Sequence, residues 1–208
     1  MVRATMDSAL QQSSVSTYFR RQAPEYAHAS ETGLWGYWKK RELNAVRNHL
    51  GDLHGLDVLE CGCGAGWYAR RLIEQRPASY VATDYLPEMV EQVRIPGVTP
   101  VQADLTSFTL DRAFDRILCA GALEFVPTPA AFFGRAASVL REGGRIVVLV
   151  PPDNLAGRLY RLWHRWHGFR IHLFGMAFLT SKAAEAGLRP LRATKATAYS
   201  MVVTLGRG

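Results

Sequence analysis

The apolar positions Leu43, Val46 and Leu50 recur at helical spacing, so the chain from about Trp38 to Leu50 is predicted to form a helix with one buried face. Gly51 is placed to cap its end, because a left-handed residue costs glycine little. Beyond Gly51 the pattern shortens. Apolar runs at Val58–Cys61, Tyr80–Thr83, Val98–Gln102, Phe114–Cys119 and Arg145–Val150 are too brief for helices, and each reads as a buried strand. Trp67–Gln75, Pro87–Val93 and Pro129–Leu140 read as the helices between them. Strands alternating with helices imply an α/β fold with a parallel, doubly wound sheet.

The end of the chain breaks this alternation. Thr180 is a candidate N-cap for a helix over Ser181–Gly187. Leu188–Lys195 and Tyr199–Leu205 follow as strands with a brief connection. A parallel crossover needs about a dozen residues or more, so these two are expected to pair antiparallel.

With 208 residues, 48% of them apolar, the chain can fill the core of one domain. No apolar run is long enough to span a bilayer. The opening MVRATMDSAL lacks the apolar stretch of a secretory signal, and three cysteines make no disulfide framework. A cytoplasmic protein is expected. Residues 1–15, polar and Ser/Gln-rich, read as frayed. Charge adds a second feature. Residues 1–150 carry 16 Lys/Arg and 16 Asp/Glu, whereas residues 151–208 carry nine Lys/Arg against Asp153 and Glu185 alone. The whole net charge of +7 therefore lies in the last quarter, which suits an anionic ligand, an anionic surface or nucleic acid.

The stretch DVLECGCGAG runs from the first predicted strand into Gly62, Gly64 and Gly66. Glycines there let a ligand approach the backbone at the carboxyl edge of a sheet. A dinucleotide loop is spaced G-x-G-x-x-G, but here position 67 is Trp. No Lys-Ser/Thr pair follows, which excludes a P-loop. Glu60 before the first glycine suits a cationic ligand group and opposes a diphosphate. Asp84 and Asp104 stand after the second and third predicted strands, 18 residues beyond Gly66 and 20 beyond Asp84.

In this order, Glu60 with Gly62, Gly64 and Gly66, then Asp84 in VATDYL, then Asp104 in QADL, the chain resembles the class I S-adenosylmethionine-dependent methyltransferases. CAGALEFVP after strand four and LREGGRIVVLVPP around strand five extend the likeness over roughly residues 16–205. The resemblance implies a Rossmann-like seven-stranded sheet, mostly parallel with an antiparallel last strand, in a single domain. It implies S-adenosylmethionine as cofactor, with Asp84 on the ribose hydroxyls, Tyr85 and Met89 near the adenine and Asp104 at its amino group. Tyr26, Cys63, Ala103, Leu105 and Ala120 complete the expected cofactor set. The aromatic segment within residues 16–50 is expected to act as a lid, and residues 154–175 as a cap inserted after strand five. Tyr18, Trp35, Trp163, His167 and Arg170 are then the expected contacts to a small-molecule acceptor.

Positioning is most of the catalysis such a reaction needs, though an oxygen or nitrogen acceptor also benefits from a general base. The candidates are His28, His164 and Glu124; the plainer reading of each histidine is a packing or surface residue, and Glu124 also reads as an anchor for backbone amides. Many relatives carry His where this chain has Phe125. Cys61, Cys63 and Cys119 read as small apolar fillers, not metal ligands.

Residues 154–174, NLAGRLYRLWHRWHGFRIHLF, form the most individual segment. On a helical wheel Leu155, Leu159, Leu162, Trp163 and Trp166 share one face, which packs on the domain or on substrate if the helix closes over an acceptor. Arg158, Arg161 and Arg165 make a second stripe, and His164 and His167 lie on another side. Asp153 or Asn154 is the candidate N-cap and Gly168 the stop. Three readings stay open for this helix: a solvated surface element, a cap over an anionic or aromatic acceptor, or a peripheral membrane contact. Nucleic acid is disfavoured as acceptor, because PPDN follows strand five and not strand four. A methyltransferase acting on a lipid or quinone at a membrane surface is the nearest alternative. From other classes stand a nicotinamide-dependent oxidoreductase and a non-catalytic binding module.

Overall fold

The computed structural model describes residues 33–168 and 170–207. Seven strands form one sheet: β1 (Asp57–Cys61), β2 (Ser79–Asp84), β3 (Val98–Gln102), β4 (Phe114–Ala120), β5 (Leu140–Val150), β6 (Leu188–Lys195) and β7 (Met201–Arg207). Their spatial order is β3-β2-β1-β4-β5-β7-β6. β7 runs antiparallel to both β5 and β6, while the pairs among β1 to β5 are parallel. The order reverses between β1 and β4, which opens a crevice beyond their carboxyl ends where ligands of such sheets bind.

Period-two alternation sends neighbouring strand residues to opposite layers. Leu59, Ile117, Cys119, Ile146 and Val148 enter the core shared with helices α4 (Pro129–Ser138) and α6 (Met176–Glu185). Val58, Leu118, Val147 and Leu149 enter the opposite core, beneath α1 (Gly33–Leu50) and α2 (Trp67–Leu72). Each side chain fully buried in this way stabilises the fold by roughly 1.5–3 kcal/mol.

Several boundaries differ from the sequence pattern, each for a local reason. Helix α1 begins at Gly33, not Trp38, and its Leu43, Val46 and Leu50 are buried as expected. The helix after β2, α3, is only Pro87–Val90, because Val93 and Ile95 turn into the core ahead of β3. Helix α4 ends at Ser138, and Leu140 is already paired with Phe114; the pairing slips before Arg116 meets Arg145, in a glycine-containing irregularity. Thr180 is not an N-cap. Gly175 takes that position, and α6 starts at Met176 because Leu179 and Ala183, one helical turn apart, are both fully buried.

The cap segment leaves β5 and returns to it. Phe174 donates its N–H to Pro151 O (2.9 Å) and accepts from Asp153 N (3.1 Å), closing the base of the excursion. Within it, α5 (Leu155–Trp166) is N-capped by Asn154, whose side chain accepts from Gly157 N at 2.8 Å. The expected inward face is reversed. Leu155, Leu159 and Trp166 are 76%, 61% and 86% exposed, whereas Gly157 and His164 are buried. Gly157 explains the reversal: a Cβ there would lie 1.9 Å from Pro152 O, so the bare glycine surface is what lets the helix press against its own base.

His49 ties α1 to the last two strands. Its Nδ1 lies 2.7 Å from Thr204 Oγ1 and its Nε2 2.7 Å from Thr194 Oγ1. Burial, helped by the Arg192 charge, lowers its pKa from 6.5 to about 4. The unfolded chain therefore binds the proton more readily, and the stabilisation is present above pH 6.5 and lost as pH falls towards 4. Urea unfolding should show a loss on the order of 2–3 kcal/mol from this residue between pH 7 and pH 4. His49→Gln should be less stable than the parent at pH 7 and lose less on acidification; an unchanged pH slope would remove His49 as the cause.

Candidate functional site

The glycine loop after β1 is held by the tip of β2. Gly62 N and Cys63 N both donate to Thr83 O, at 2.8 and 2.9 Å. Gly64 N donates to Asp84 Oδ2 at 2.8 Å, while Leu86 N donates to Asp84 Oδ1 at 3.0 Å. Three successive backbone donors are thereby engaged within the protein. A loop that binds a diphosphate must aim such donors at the ligand, so this one presents a surface for a different group. Gly62 has φ +71°, and a Cβ on it would lie 2.3 Å from Ala122 Cβ; the loop packs directly on the strand β4 exit. Gly64 has φ +53° and open space where its Cβ would stand.

That space belongs to a cleft of about 160 Å³ at the carboxyl edge of β1, β2 and β4. Of the residues expected to hold a cofactor, Gly62, Cys63, Gly64, Asp84, Tyr85, Met89, Asp104, Leu105 and Ala120 line it. Ala103 sits beneath it, its N–H bonded to Asp84 O at 2.9 Å. Gly66 stands at the start of α2 and does not reach the cleft. Tyr18, Tyr26 and His28 lie outside the described residues.

Glu60 departs from expectation. It does not line the cleft; it is buried, and Tyr80 donates its hydroxyl to Glu60 Oε2 at 2.6 Å. Burial raises its pKa to about 8, so near neutral pH it is mostly a neutral acid. Asp84 is also raised by burial, opposed by the backbone N–H groups of Leu86, Gly64 and Tyr85. Asp104 accepts from Thr106 N and Thr106 Oγ1 through one oxygen, both at 2.7 Å. Burial pushes the thiols of Cys61, Cys63 and Cys119 up, that of Cys61 to about 12.

A second cavity, of about 90 Å³, shares Lys39, Gly121 and Phe125 with the first. Glu124, Tyr160, Trp163, His164 and Tyr199 stand around it. Glu124 is 4% exposed, and among the described residues nothing hydrogen-bonds its Oε2. Burial raises its pKa to about 7, with the Lys39 charge lowering and the Glu42 charge raising it. His164 is lowered to about 4, first by burial and then by His167. His167 itself is exposed and set against Trp163, its Nδ1 2.8 Å from Trp163 O. Arg170 is exposed and lines neither cavity, and Trp35 falls in the first turn of α1.

The pattern of the sequence missed Lys39, Glu42 and Tyr199. Lys39 and Glu42 form an ion pair of 3.4 Å, and their placement beside Leu43 and Val46 on an otherwise apolar helix face was a legible signal. Tyr199 lies in the turn between β6 and β7, where nothing in the sequence marks it.

Residues 59–148 match the model of a methyltransferase domain. The chain is 35% identical over 158 residues to a ubiquinone biosynthesis O-methyltransferase of Xylella fastidiosa, covering 68% of this chain and 64% of that protein. It is 32% identical over 145 residues to a malonyl-[acyl-carrier protein] O-methyltransferase of Hahella chejuensis, covering 64% and 50%. The chain thus spans between about half and two thirds of the length of these relatives. In fold, it resembles a magnesium protoporphyrin IX methyltransferase of Synechocystis with bound SAH (TM-score 0.73, 19% identity), covering 93% of this chain and 98% of that one. Gly62→Ala should be strongly destabilised, since both the positive φ and the contact with Ala122 oppose a methyl group. A loss of roughly 2–4 kcal/mol in urea unfolding is expected; a variant of parental stability would show that the loop does not pack on Ala122.

Proposed function

We propose that the protein transfers a methyl group from S-adenosylmethionine to an oxygen of a small-molecule acceptor. The observation that carries this reading is the pair of adjoining cavities, one walled by the glycine loop and Asp84, the other by the buried, unengaged oxygen of Glu124. The names of the relatives, O-methyltransferases of ubiquinone biosynthesis and of malonyl-[acyl-carrier protein], favour oxygen. A nicotinamide dinucleotide is disfavoured, because the loop donors that a diphosphate needs are engaged by Thr83 and Asp84.

The residues present fit the cofactor. Asp84 keeps lone pairs for ribose hydroxyls beyond the backbone N–H groups it accepts, Leu86, Met89 and Leu105 supply apolar walls for adenine, and the open space at Gly64 leaves room at the loop. S-Adenosylmethionine supplies a methyl group on a sulfonium, already activated for transfer. The protein positions the acceptor. Phe125 lines both cavities and, with Tyr160, Trp163 and Tyr199, gives the second an aromatic wall. Glu124 Oε2 takes the proton of the acceptor hydroxyl, its pKa near neutrality allowing it to accept and later release that proton. Lys39, on the shared wall, steadies the resulting negative charge. His164, largely neutral at pH 7, lies on the same wall.

Calorimetry with S-adenosylmethionine and S-adenosylhomocysteine tests the first cavity. Asp84→Ala loses hydrogen bonds to a charged group, worth about 1.5–3 kcal/mol each before compensation, so affinity should fall at least tenfold. Gly64→Val should abolish binding, at a cost in stability from its positive φ that thermal unfolding reads separately. Parental affinity in both would refute the assignment.

The second cavity is tested by pH. With a phenolic acceptor that the enzyme turns over, kcat should rise with pH through about 7 as Glu124 ionises. Glu124→Gln should lower kcat by roughly 10²–10⁴ and remove that limb of the profile, with cofactor affinity intact. A profile that keeps its limb in the variant would take the proton-accepting role away from Glu124.

A further inference from the structure

We propose that α5 docks the protein on an anionic lipid bilayer. The helix is amphipathic in the sense opposite to a core helix. Gly157 and His164 face the domain, while Leu155, Leu159, Leu162, Trp163 and Trp166 stand 76%, 61%, 46%, 46% and 86% exposed on the far side. These five cluster on one side of the wheel, and Arg158, Arg161 and Arg165, all exposed, run along its edge. Arg158 meets Asp153 at 3.0 Å; Arg161 and Arg165 have no ion pair among the described residues. Large apolar side chains bordered by arginines are what a helix lying in the headgroup plane requires: the apolar face enters the acyl boundary and the cations meet phosphates. No described helix is long and apolar enough to cross a membrane, so contact of this kind lies along the surface.

Charge selects this occupant over two others. A second copy docked on the same face would bring the two arginine stripes together, in a segment whose acids are only Asp153 and Glu185. Residues 1–32 carry three arginines against Asp7, Glu25 and Glu31, hence no acidic excess to answer the stripe. Anionic phospholipid supplies both the apolar phase and the negative charge. Trp163 belongs to the exposed face and also to the wall of the second cavity, so a docked protein offers that cavity to an acceptor dissolved in the bilayer.

The test is sedimentation of the full chain with phosphatidylcholine vesicles, with and without phosphatidylglycerol. Binding to the anionic vesicles should exceed binding to neutral ones at least tenfold and weaken with salt. Arg161→Gln with Arg165→Gln should reduce the anionic preference about fivefold per arginine. Leu159→Ser with Trp166→Ser should abolish binding to either vesicle. All four side chains are exposed, so thermal midpoints should be unchanged. Absence of partitioning, or partitioning indifferent to both pairs of substitutions, overturns the proposal. So does a parent that is dimeric by light scattering and becomes monomeric in the Leu159/Trp166 variant. Vesicle binding needs no acceptor and no methyl transfer, so its failure leaves the cofactor reading standing, and failure of cofactor binding leaves the docking face standing.

Discussion

Everything at the site depends on the grip that the end of β2 has on the glycine loop. Thr83 O accepts two backbone N–H groups and Asp84 Oδ2 a third. These bonds fix the loop's path against β4, and they also decide its chemistry. With its donors turned inward, the loop cannot act as an anion nest, and the nearest charged group is a carboxylate. A single backbone arrangement thus discriminates against phosphate and in favour of a ligand with hydroxyls and positive charge.

The succession of strands along the chain, the parallel sheet and the reversed final pair were legible in the sequence because buried strands and turn spacing are local signals. The same held for the loop-lining Gly62, Gly64, Asp84 and Asp104, whose positions follow from strand ends. What the sequence could not give was orientation. Glu60 lies on a strand with Leu59 and Cys61 as neighbours, and no pattern says that its carboxyl turns to Tyr80 and away from the cleft. Tyr199 comes to the second cavity through a turn whose direction depends on β7 entering between β5 and β6.

Helix α5 shows the limit most clearly. Its periodicity gives an apolar face and a basic stripe, but periodicity alone does not say which face is inside. A core helix and a surface-docking helix share the same wheel. The decision rests on Gly157, whose missing side chain lets the backbone approach Pro152 and so makes the narrow face the inner one.

The raised thiols have a consequence for the protein's own survival. Under the proposed function, a cleft that holds an alkylating agent has Cys63 in its wall, with Cys61 and Cys119 buried nearby. A thiolate would outcompete most acceptors for an activated methyl group, since the thiolate and not the thiol is the nucleophile. Burial, the largest influence on it, pushes the Cys63 thiol up and favours its protonated form. The same low-dielectric packing that shapes the cleft therefore makes its sulfur inert, and the enzyme is protected from becoming its own substrate.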